Sequence, residues 1–361
     1  MRIVFCGGGT GGHITPMLAI ADILRQSDKN AEFFFICRRG GRENDAIRQA
    51  GYEPFEIDVR GLKRSLSPSN VGAVLKAVRA RGEARRLLHD LAPDAVIGTG
   101  GYVSWPVLSA ARSLHIRCAI HESNAVAGLV TQAMGRFVDL VMLGYGEAAS
   151  GLPGCRIAVT GNPVRGAVGK ISKARARAAL GIPTGKTVVL SFGGSLGAGR
   201  INEAMCGMID DLSKANENIF FIHATGRAEY EKYRANETAR ARILPYIEDM
   251  PTHLAAADIA VTRCGAMTIA ELSAAGVPAI LIPSPNVTAN HQYKNANATA
   301  RMGGAVMLSE GELDTGSLRS LLTELSRDTE RRDKMRRANR GHRECVEAKI
   351  RAAVAVLLDK K

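Results

Sequence analysis

Twice in this chain a short apolar strand breaks into glycines and then into a helix, and no other feature limits the fold as much. The first case is Arg2-Ile3-Val4-Phe5-Cys6 followed by Gly7-Gly8-Gly9-Thr10-Gly11-Gly12-His13. The second is Val188–Phe192 followed by Gly193-Gly194-Ser195-Leu196-Gly197-Ala198. A helix that starts directly after such a turn leaves unpaired backbone N–H groups at the positive end of its dipole, which is a site for phosphate. One loop near the start of each half predicts two nucleotide-binding-type domains facing one cleft.

The rest of the pattern agrees. Short runs that are apolar on both faces recur at Ile3–Cys6, Phe33–Cys37, Phe55–Val59, Ala95–Thr99, Arg117–His121, Leu140–Leu143 and Ile157–Thr160. They resume at Val188–Phe192, Ile219–Ala224, Arg242–Leu244, Ile259–Thr262, Ala279–Pro283 and Ala305–Leu308, with helical stretches between. Strands that are apolar on both faces belong to parallel sheets covered by helices. The expected class is therefore α/β, with two doubly wound Rossmann-like domains. The least regular stretch begins at Gly161-Asn162-Pro163, so the boundary is placed at Asn162: residues 1–162, then 163–340, then a terminal helix in 341–361.

Composition narrows the setting. The seven cysteines are scattered without a C-x-x-C pair; they predict buried thiols in a reducing compartment and indicate neither a zinc site nor a disulfide framework. No apolar run approaches the ~20 residues of a membrane span, and the few apolar residues before Gly7 are too short for a signal-peptide core. The net charge of +13 calls for anionic partners. Much of it sits in Arg60–Leu88, where eight basic residues stand against Glu83 alone.

Gly7, Gly9 and Gly12 satisfy G-x-G-x-x-G, so a dinucleotide-dependent oxidoreductase has to be considered. Such a domain wants an acidic residue at the end of its second strand for a ribose hydroxyl. Here that strand ends in Arg38-Arg39, which suits only a 2′-phosphate and hence NADP. Other chemistry gathers at strand ends. Gly98-Thr99-Gly100-Gly101-Tyr102 forms a third glycine-rich loop, His121-Glu122-Ser123-Asn124 follows the next strand, and Glu271 lies one turn into the helix after Gly265. His121 and Glu122 are expected to support their loop, with Asn124 available to a ligand. Asn290-His291-Gln292-Tyr293-Lys294-Asn295 is dense in the neutral hydrogen-bonding groups that recognise sugars.

Six ordered motifs then carry a specific resemblance: Gly9-Thr10-Gly11-Gly12-His13, Gly98-Thr99-Gly100-Gly101-Tyr102-Val103-Ser104, His121-Glu122-x-Asn124, Gly161-Asn162-Pro163-Val164-Arg165, Gly193-Gly194-Ser195-x-Gly197-Ala198 and Gly265-Ala266-x-Thr268-x-x-Glu271. Over essentially its full length the chain resembles the bacterial MurG family of GT-B transferases, which add N-acetylglucosamine to lipid I. The resemblance implies UDP-N-acetylglucosamine as donor, lipid I as acceptor, inversion in a single displacement, and no cofactor, metal or nucleic acid. It implies His13 as the general base. For the donor it implies Thr10, Gly11, Gly12, Asn124, Arg165, Ser195, Ile247, Glu271, His291 and Gln292, with Glu271 on the ribose and the backbone near Ile247 on uracil. Gly9, Gly100, Gly101 and Tyr102 fall on the acceptor side, and the last helix crosses back to the first domain.

The resemblance also places the chain peripherally on the cytoplasmic face of the cell membrane. A helical stripe of Val71, Val74, Leu75 and Val78, flanked by Lys76, Arg79, Arg81 and Arg85, suits an anionic leaflet. The chain lacks Asp-x-Asp, in keeping with a reaction that requires no metal. It departs from the family at Ser123, Ala127, Cys264 and the His291-Gln292 pair. Other UDP-sugar enzymes of the same architecture, a glycolipid synthase or a UDP-N-acetylglucosamine epimerase, are the alternatives.

Overall fold

The computed structural model describes residues 1–9, 11–41, 44–61, 69–194, 197–214, 218–343 and 345–359. Of the expected site residues, Thr10 and Ser195 lie outside them, as do Lys63 and Arg64 of the basic stretch. The chain forms two compact units, Met1–Arg165 with Cys345–Lys361, and Gly166–Glu344.

The first unit is built on a seven-stranded sheet: β1 (Arg2–Cys6), β2 (Glu32–Arg38), β3 (Pro54–Ile57), β4 (Ala95–Gly98), β5 (Arg117–Glu122), β6 (Leu140–Leu143) and β7 (Ile157–Val159). All pairings are parallel, and the order is β3-β2-β1-β4-β5-β6-β7. Its helices are α1 (Gly11–Ser27), α2 (Asn44–Gln49), α3 (Ser69–Leu91), α4 (Ser104–Ser113) and α5 (Leu129–Met134). The alternation along β1 shows why the strand is apolar throughout. Ile3 and Phe5 join one core cluster with Met17 and Leu18 of α1, while Val4 and Cys6 join another with Val107 and Leu108 of α4. The stretch expected as strand to Val59 stops at Ile57, on the edge strand β3.

The second unit repeats the plan with six parallel strands: β8 (Thr187–Phe192), β9 (Ile219–Ala224), β10 (Ala241–Leu244), β11 (Ile259–Thr262), β12 (Ala279–Leu281) and β13 (Ala305–Met307), in the order β10-β9-β8-β11-β12-β13. Its helices are α6 (Lys173–Ala179), α7 (Gly199–Lys214), α8 (Tyr230–Tyr233), α9 (Met250–Ala256), α10 (Ala266–Ala275), α11 (His291–Arg301), α12 (Thr315–Arg327) and α13 (Thr329–Arg343). In each unit the order reverses beside the first strand, between β1 and β4 and between β8 and β11. Ligands of open α/β sheets bind outside the carboxyl ends of the strands at that point.

The first unit extends past the expected break at Asn162 because side chains tie the following residues down. Asn162 Nδ2 donates to the Ser123 carbonyl at 2.9 Å, and Arg165 pairs with Asp22 of α1 at 3.4 Å. Its last element, α14 (Val346–Leu358), buries Ile350, Ala353, Val354 and Leu357 in the cluster that holds Ile3 and Phe5. Arg117 Nη1 donates to the Leu357 carbonyl at 2.8 Å and fixes the helix end.

α3 is inverted relative to an ordinary amphipathic helix. It buries the small residues Ala73, Ala80 and Ala84, together with Leu88, and leaves Val74, Leu75 and Val78 more than half exposed. Alanines at the contact let α3 lie close to α4, and the larger apolar side chains are left in solvent. Among the described residues no helix is long and apolar enough to cross a membrane.

Candidate active site

At the switch point of the first unit the β1–α1 and β4–α4 loops interlock. Thr99 N donates to the Cys6 carbonyl at 2.9 Å and continues the β1–β4 ladder past its last strand residue. Thr99 Oγ1 then donates to the His13 carbonyl at 2.7 Å, and His13 Nδ1 donates to the Thr99 carbonyl at 2.9 Å. A carbonyl oxygen only accepts, so the proton of the neutral ring is on Nδ1 and its lone pair is on Nε2. His13 is half-buried in the first turn of α1. The loop–loop contact thus sets both the orientation and the tautomer of the expected base.

The contact depends on missing side chains. Gly100 and Gly101 have φ of +100° and +76°; a Cβ on Gly100 would lie 2.9 Å from His13 Nδ1, and one on Gly101 would lie 2.1 Å from the Gly8 carbonyl oxygen. Gly9 leaves room for the Tyr102 ring in the same way. Gly101→Ala therefore combines a forbidden backbone region with a backbone clash, and we expect it to cost at least about 2 kcal/mol. Thermal unfolding should begin roughly 4–8 °C lower, while Gly40→Ala, at φ +62° but with nothing within 4 Å of the added Cβ, carries the backbone strain without the clash and should lower it less.

One strand further along the edge, Glu122 is buried and supplied with four donors. Oε1 accepts from Asn124 N (3.1 Å) and Asn124 Nδ2 (3.2 Å), and Oε2 accepts from Gly128 N (2.8 Å) and Thr131 Oγ1 (2.7 Å). His121, also buried, donates from Nε2 to the Gly161 carbonyl at 3.3 Å and accepts from Ser123 Oγ at 3.4 Å. Burial holds its pKa below the usual imidazole value. The pair braces the 123–128 loop, and Asn124 is anchored to that brace at the carboxyl edge of β5.

In the second unit the β8 loop packs as tightly. A Cβ on Gly193 would lie 2.3 Å from Ala198 N, and one on Gly197 (φ +79°) would lie 2.4 Å from the Thr225 carbonyl oxygen. Asn202, buried in the first turns of α7, donates to that same carbonyl at 2.9 Å. Across the switch point, α11 clamps the start of α10. Gln292 Oε1 accepts from Cys264 N (3.3 Å) and Ser284 N (2.9 Å), and Asn295 Nδ2 donates to the Cys264 carbonyl (3.2 Å). Both described partners of Gln292 are donors, so its amide oxygen faces them and its Nε2 donor faces away. His291 donates from Nδ1 to the Thr288 carbonyl at 2.8 Å. Burial pushes the Cys264 thiol up, which leaves it a packing group. Glu271, on α10, is half-buried, and burial raises its carboxyl from the ordinary 4.5 to about 7. Ile247 beyond β10 is buried.

The expected site residues thus divide into two groups, each gathered at one sheet edge. His13, Gly9, Gly12, Gly100, Gly101, Tyr102 and Asn124 lie at the carboxyl edge of the first sheet, with Gly11 opening α1. Glu271, His291, Gln292 and Ile247 lie at that of the second. Arg165 stands apart, against Asp22 in the middle of α1. Sequence reasoning named Thr99 and Asn295 only as members of their loops, without a role of their own, and passed over Asn202; the signal for Asn295 is its i+3 spacing from Gln292, which puts both on one face of α11.

Residues 3–143 match the N-terminal domain of glycosyltransferase family 28, and residues 188–350 match its C-terminal domain. The chain belongs to glycosyltransferase family 28. Among curated relatives of this family 28 enzyme is the UDP-N-acetylglucosamine–N-acetylmuramyl-(pentapeptide) pyrophosphoryl-undecaprenol N-acetylglucosamine transferase of Lacticaseibacillus casei. It is 40% identical over 94% of both chains. The protein of the same name from Acetivibrio thermocellus is 40% identical over 93% of this chain and 92% of its own. Among solved structures, Acinetobacter baumannii MurG is 27% identical with a TM-score of 0.73, covering 99% of this chain and 98% of that one. A UDP-GlcNAc 2-epimerase from Neisseria meningitidis, solved with UDP-GlcNAc, superposes with a TM-score of 0.69 over 100% of both chains at 15% identity, a likeness of fold alone. The fold is GT-B. The oxidoreductase alternative falls with family 28 membership, and Arg39, which would have met a 2′-phosphate, is ion-paired to Glu83 at 2.9 Å.

Proposed function

We propose that this enzyme transfers N-acetylglucosamine from UDP-N-acetylglucosamine to the C4 hydroxyl of the muramoyl sugar of lipid I, with inversion. The observation that carries the reading is full-length kinship, at 40% identity over 94% of both chains, to a transferase named for that donor and that lipid-linked acceptor. His13 Nε2 takes the hydroxyl proton as the C4 oxygen attacks the anomeric carbon. The bond from that carbon to the diphosphate oxygen breaks, and UDP leaves with the electron pair. The charge that develops on UDP is met by the N–H groups of the Gly193–Ala198 loop and by Ser195. Arg165 joins them by exchanging Asp22 for the diphosphate. Preorganised donors aimed at developing charge commonly supply more of the rate enhancement in such a reaction than any other single effect.

Glu271 accepts the ribose hydroxyls, the backbone around Ile247 holds uracil, and the outward Nε2 of Gln292 reads the sugar with His291 beside it. Thr10, Gly11, Gly12 and Asn124 complete the donor contacts. Gly9, Gly100, Gly101 and Tyr102 receive the acceptor. The exposed Val74, Leu75 and Val78 rest on the anionic cytoplasmic leaflet where that acceptor resides.

The test is turnover with UDP-N-acetylglucosamine and a prenyl-linked muramoyl-pentapeptide acceptor, with chelator present. We expect a disaccharide-linked lipid of inverted anomeric configuration. Appearance of the 2-epimer of the donor without any transfer would overturn the assignment.

A further inference from the structure

A cavity of about 530 Å³ opens at the carboxyl edge of the second sheet, where the loops after β12 and β13 meet the first turn of α7. Its walls include Arg200 of α7, Ser284 and Pro285 after β12, Asn290 and Tyr293 around the start of α11, and Glu310 after β13. None of these side chains takes part in the proposed reaction, yet they surround one that does. Gln292 stands between Asn290 and Tyr293 in the chain and accepts from Ser284 N at 2.9 Å, so the cavity adjoins the residue that reads the donor sugar. Its volume is within the range of sites that enclose a small ligand.

The charge in the wall is not balanced. Glu310, 19% exposed, is committed to Arg263, which is 14% exposed and also donates to the Ile282 carbonyl at 3.3 Å. Arg200 is held more loosely. It donates from Nη2 to the Leu313 carbonyl at 3.0 Å, and its Nη1 stands 3.9 Å from Glu203, a separation at which an exposed pair contributes little. Its planar fork keeps N–H donors for a carboxylate. Tyr293, half exposed, and Pro285 supply apolar wall, while the Asn290 amide offers both a donor and an acceptor. Ala289 and Asn290 each hold left-handed backbone, at φ 52°, a conformation that non-glycine residues rarely adopt. A peptide with a free C-terminus asks for this combination: donors and acceptors for its amides, apolar surface for its side chains, and a cation for its end.

The proposed acceptor carries such a peptide. In a muramoyl sugar it hangs from the lactyl ether on C3, beside the C4 oxygen that attacks. When C4 meets the anomeric carbon of the sugar that Gln292 reads, the peptide begins next to that sugar, and five extended residues reach about 17 Å. We infer that this cavity binds the peptide of the acceptor, with Arg200 on the terminal carboxylate and Tyr293 and Pro285 along the chain before it. The inference rests on the proposed transferase reaction and extends it to the part of the acceptor that does not react.

The experiment measures kcat/KM, at saturating donor, for three prenyl-linked muramoyl acceptors. One bears a pentapeptide of neutral side chains ending in a free carboxylate, one bears that peptide amidated at its end, and one bears no peptide. Wild type is compared with Arg200→Gln and Tyr293→Ala. We expect wild type to prefer the free acid to the amide roughly tenfold or more, Arg200→Gln to abolish that preference, and Tyr293→Ala to lower turnover of both peptide acceptors several-fold. Both variants should turn over the peptide-free acceptor as wild type does, keep wild-type affinity for UDP and melt close to wild type, which separates loss of peptide binding from damage to the fold. A wild type that does not distinguish the acid from the amide would overturn the inference. Equal losses on all three acceptors would make Arg200 and Tyr293 donor or scaffold residues and overturn the peptide site. Absence of transfer to every acceptor would overturn the transferase reading itself, and this inference with it.

Discussion

His13→Ala should lower kcat by about 10²–10⁴-fold, the range of a positioned general base, and leave the donor dissociation constant within about twofold of wild type, because no donor-binding role is assigned to the imidazole. The structure supplies the reason for so uneven an effect. The ring is oriented by a reciprocal pair of bonds with Thr99 at 2.9 and 2.7 Å, and only the first of these involves the side chain. Alanine removes the Nδ1 bond and the Nε2 lone pair, while Thr99 Oγ1 still reaches the residue 13 carbonyl and the two loops remain joined. A fall in kcat without a matching fall in thermal stability is therefore expected. The acid limb of the kcat profile should also disappear, since at saturating donor it reports protonation of the base in the enzyme–substrate complex. Equal loss of donor affinity and turnover would instead make His13 a binding or packing residue. His13→Asn adds a check: it keeps a side-chain donor in reach of the Thr99 carbonyl but no basic nitrogen, so recovery of activity would reassign the ring to positioning.

Much of this site is legible in the sequence alone, for a physical reason. A strand that must turn at once into a helix admits glycine almost alone, so Gly7–Gly12 and Gly193–Gly197 announce themselves. The buried parallel strands do so too, being apolar on both faces. What stays hidden is pairwise and long-range. Gly101 is required because Gly8 approaches it, and nothing local to either residue records the contact. Asn295 reads as one more amide in a polar loop until α11 places it under Cys264. Arg165 belongs to a motif that implies a diphosphate contact, yet its partner here is Asp22, contributed by a different element. The large apolar residues of α3 predict a helix correctly, but periodicity does not say which face is buried. A stripe of valine and leucine ordinarily marks the core side; here alanines hold that side and the stripe is outward. The asymmetry is general. Backbone requirements are written at single positions, whereas facing and partnership are properties of pairs.

Glu271→Gln should act in opposite directions on stability and on donor binding. The folded-state pKa of this carboxyl is about 7 against an ordinary 4.5, with burial as the cause. The folded chain therefore holds the proton more tightly than the unfolded chain. Stability from this group is complete below about 4.5, declines as pH rises toward 7, and is flat above. Ionising it in place costs on the order of 3 kcal/mol at pH 8, a cost that glutamine does not carry. The variant should melt roughly 5 °C or more above wild type at pH 8 and close to wild type at pH 4.5. Donor binding reverses the order. Two ribose hydroxyls donating to a carboxylate form charge-assisted bonds that favour the ionised group. Wild-type affinity for UDP should accordingly tighten as pH rises from 6 to 8, because the complex binds fewer protons than the free enzyme. The variant should bind UDP about 100-fold more weakly at pH 8, with little dependence on pH. Calorimetric titration of UDP at three pH values, paired with melting curves, reads both effects. If the variant is no more stable at pH 8, the carboxyl is already compensated in the folded chain; if its UDP affinity is unchanged, the ribose lies elsewhere. A carboxylate kept half-buried at a cost in stability and repaid only when a diol arrives is the usual trade of a binding site against its scaffold, and the opposed signs of the two measurements distinguish it from a residue that merely packs.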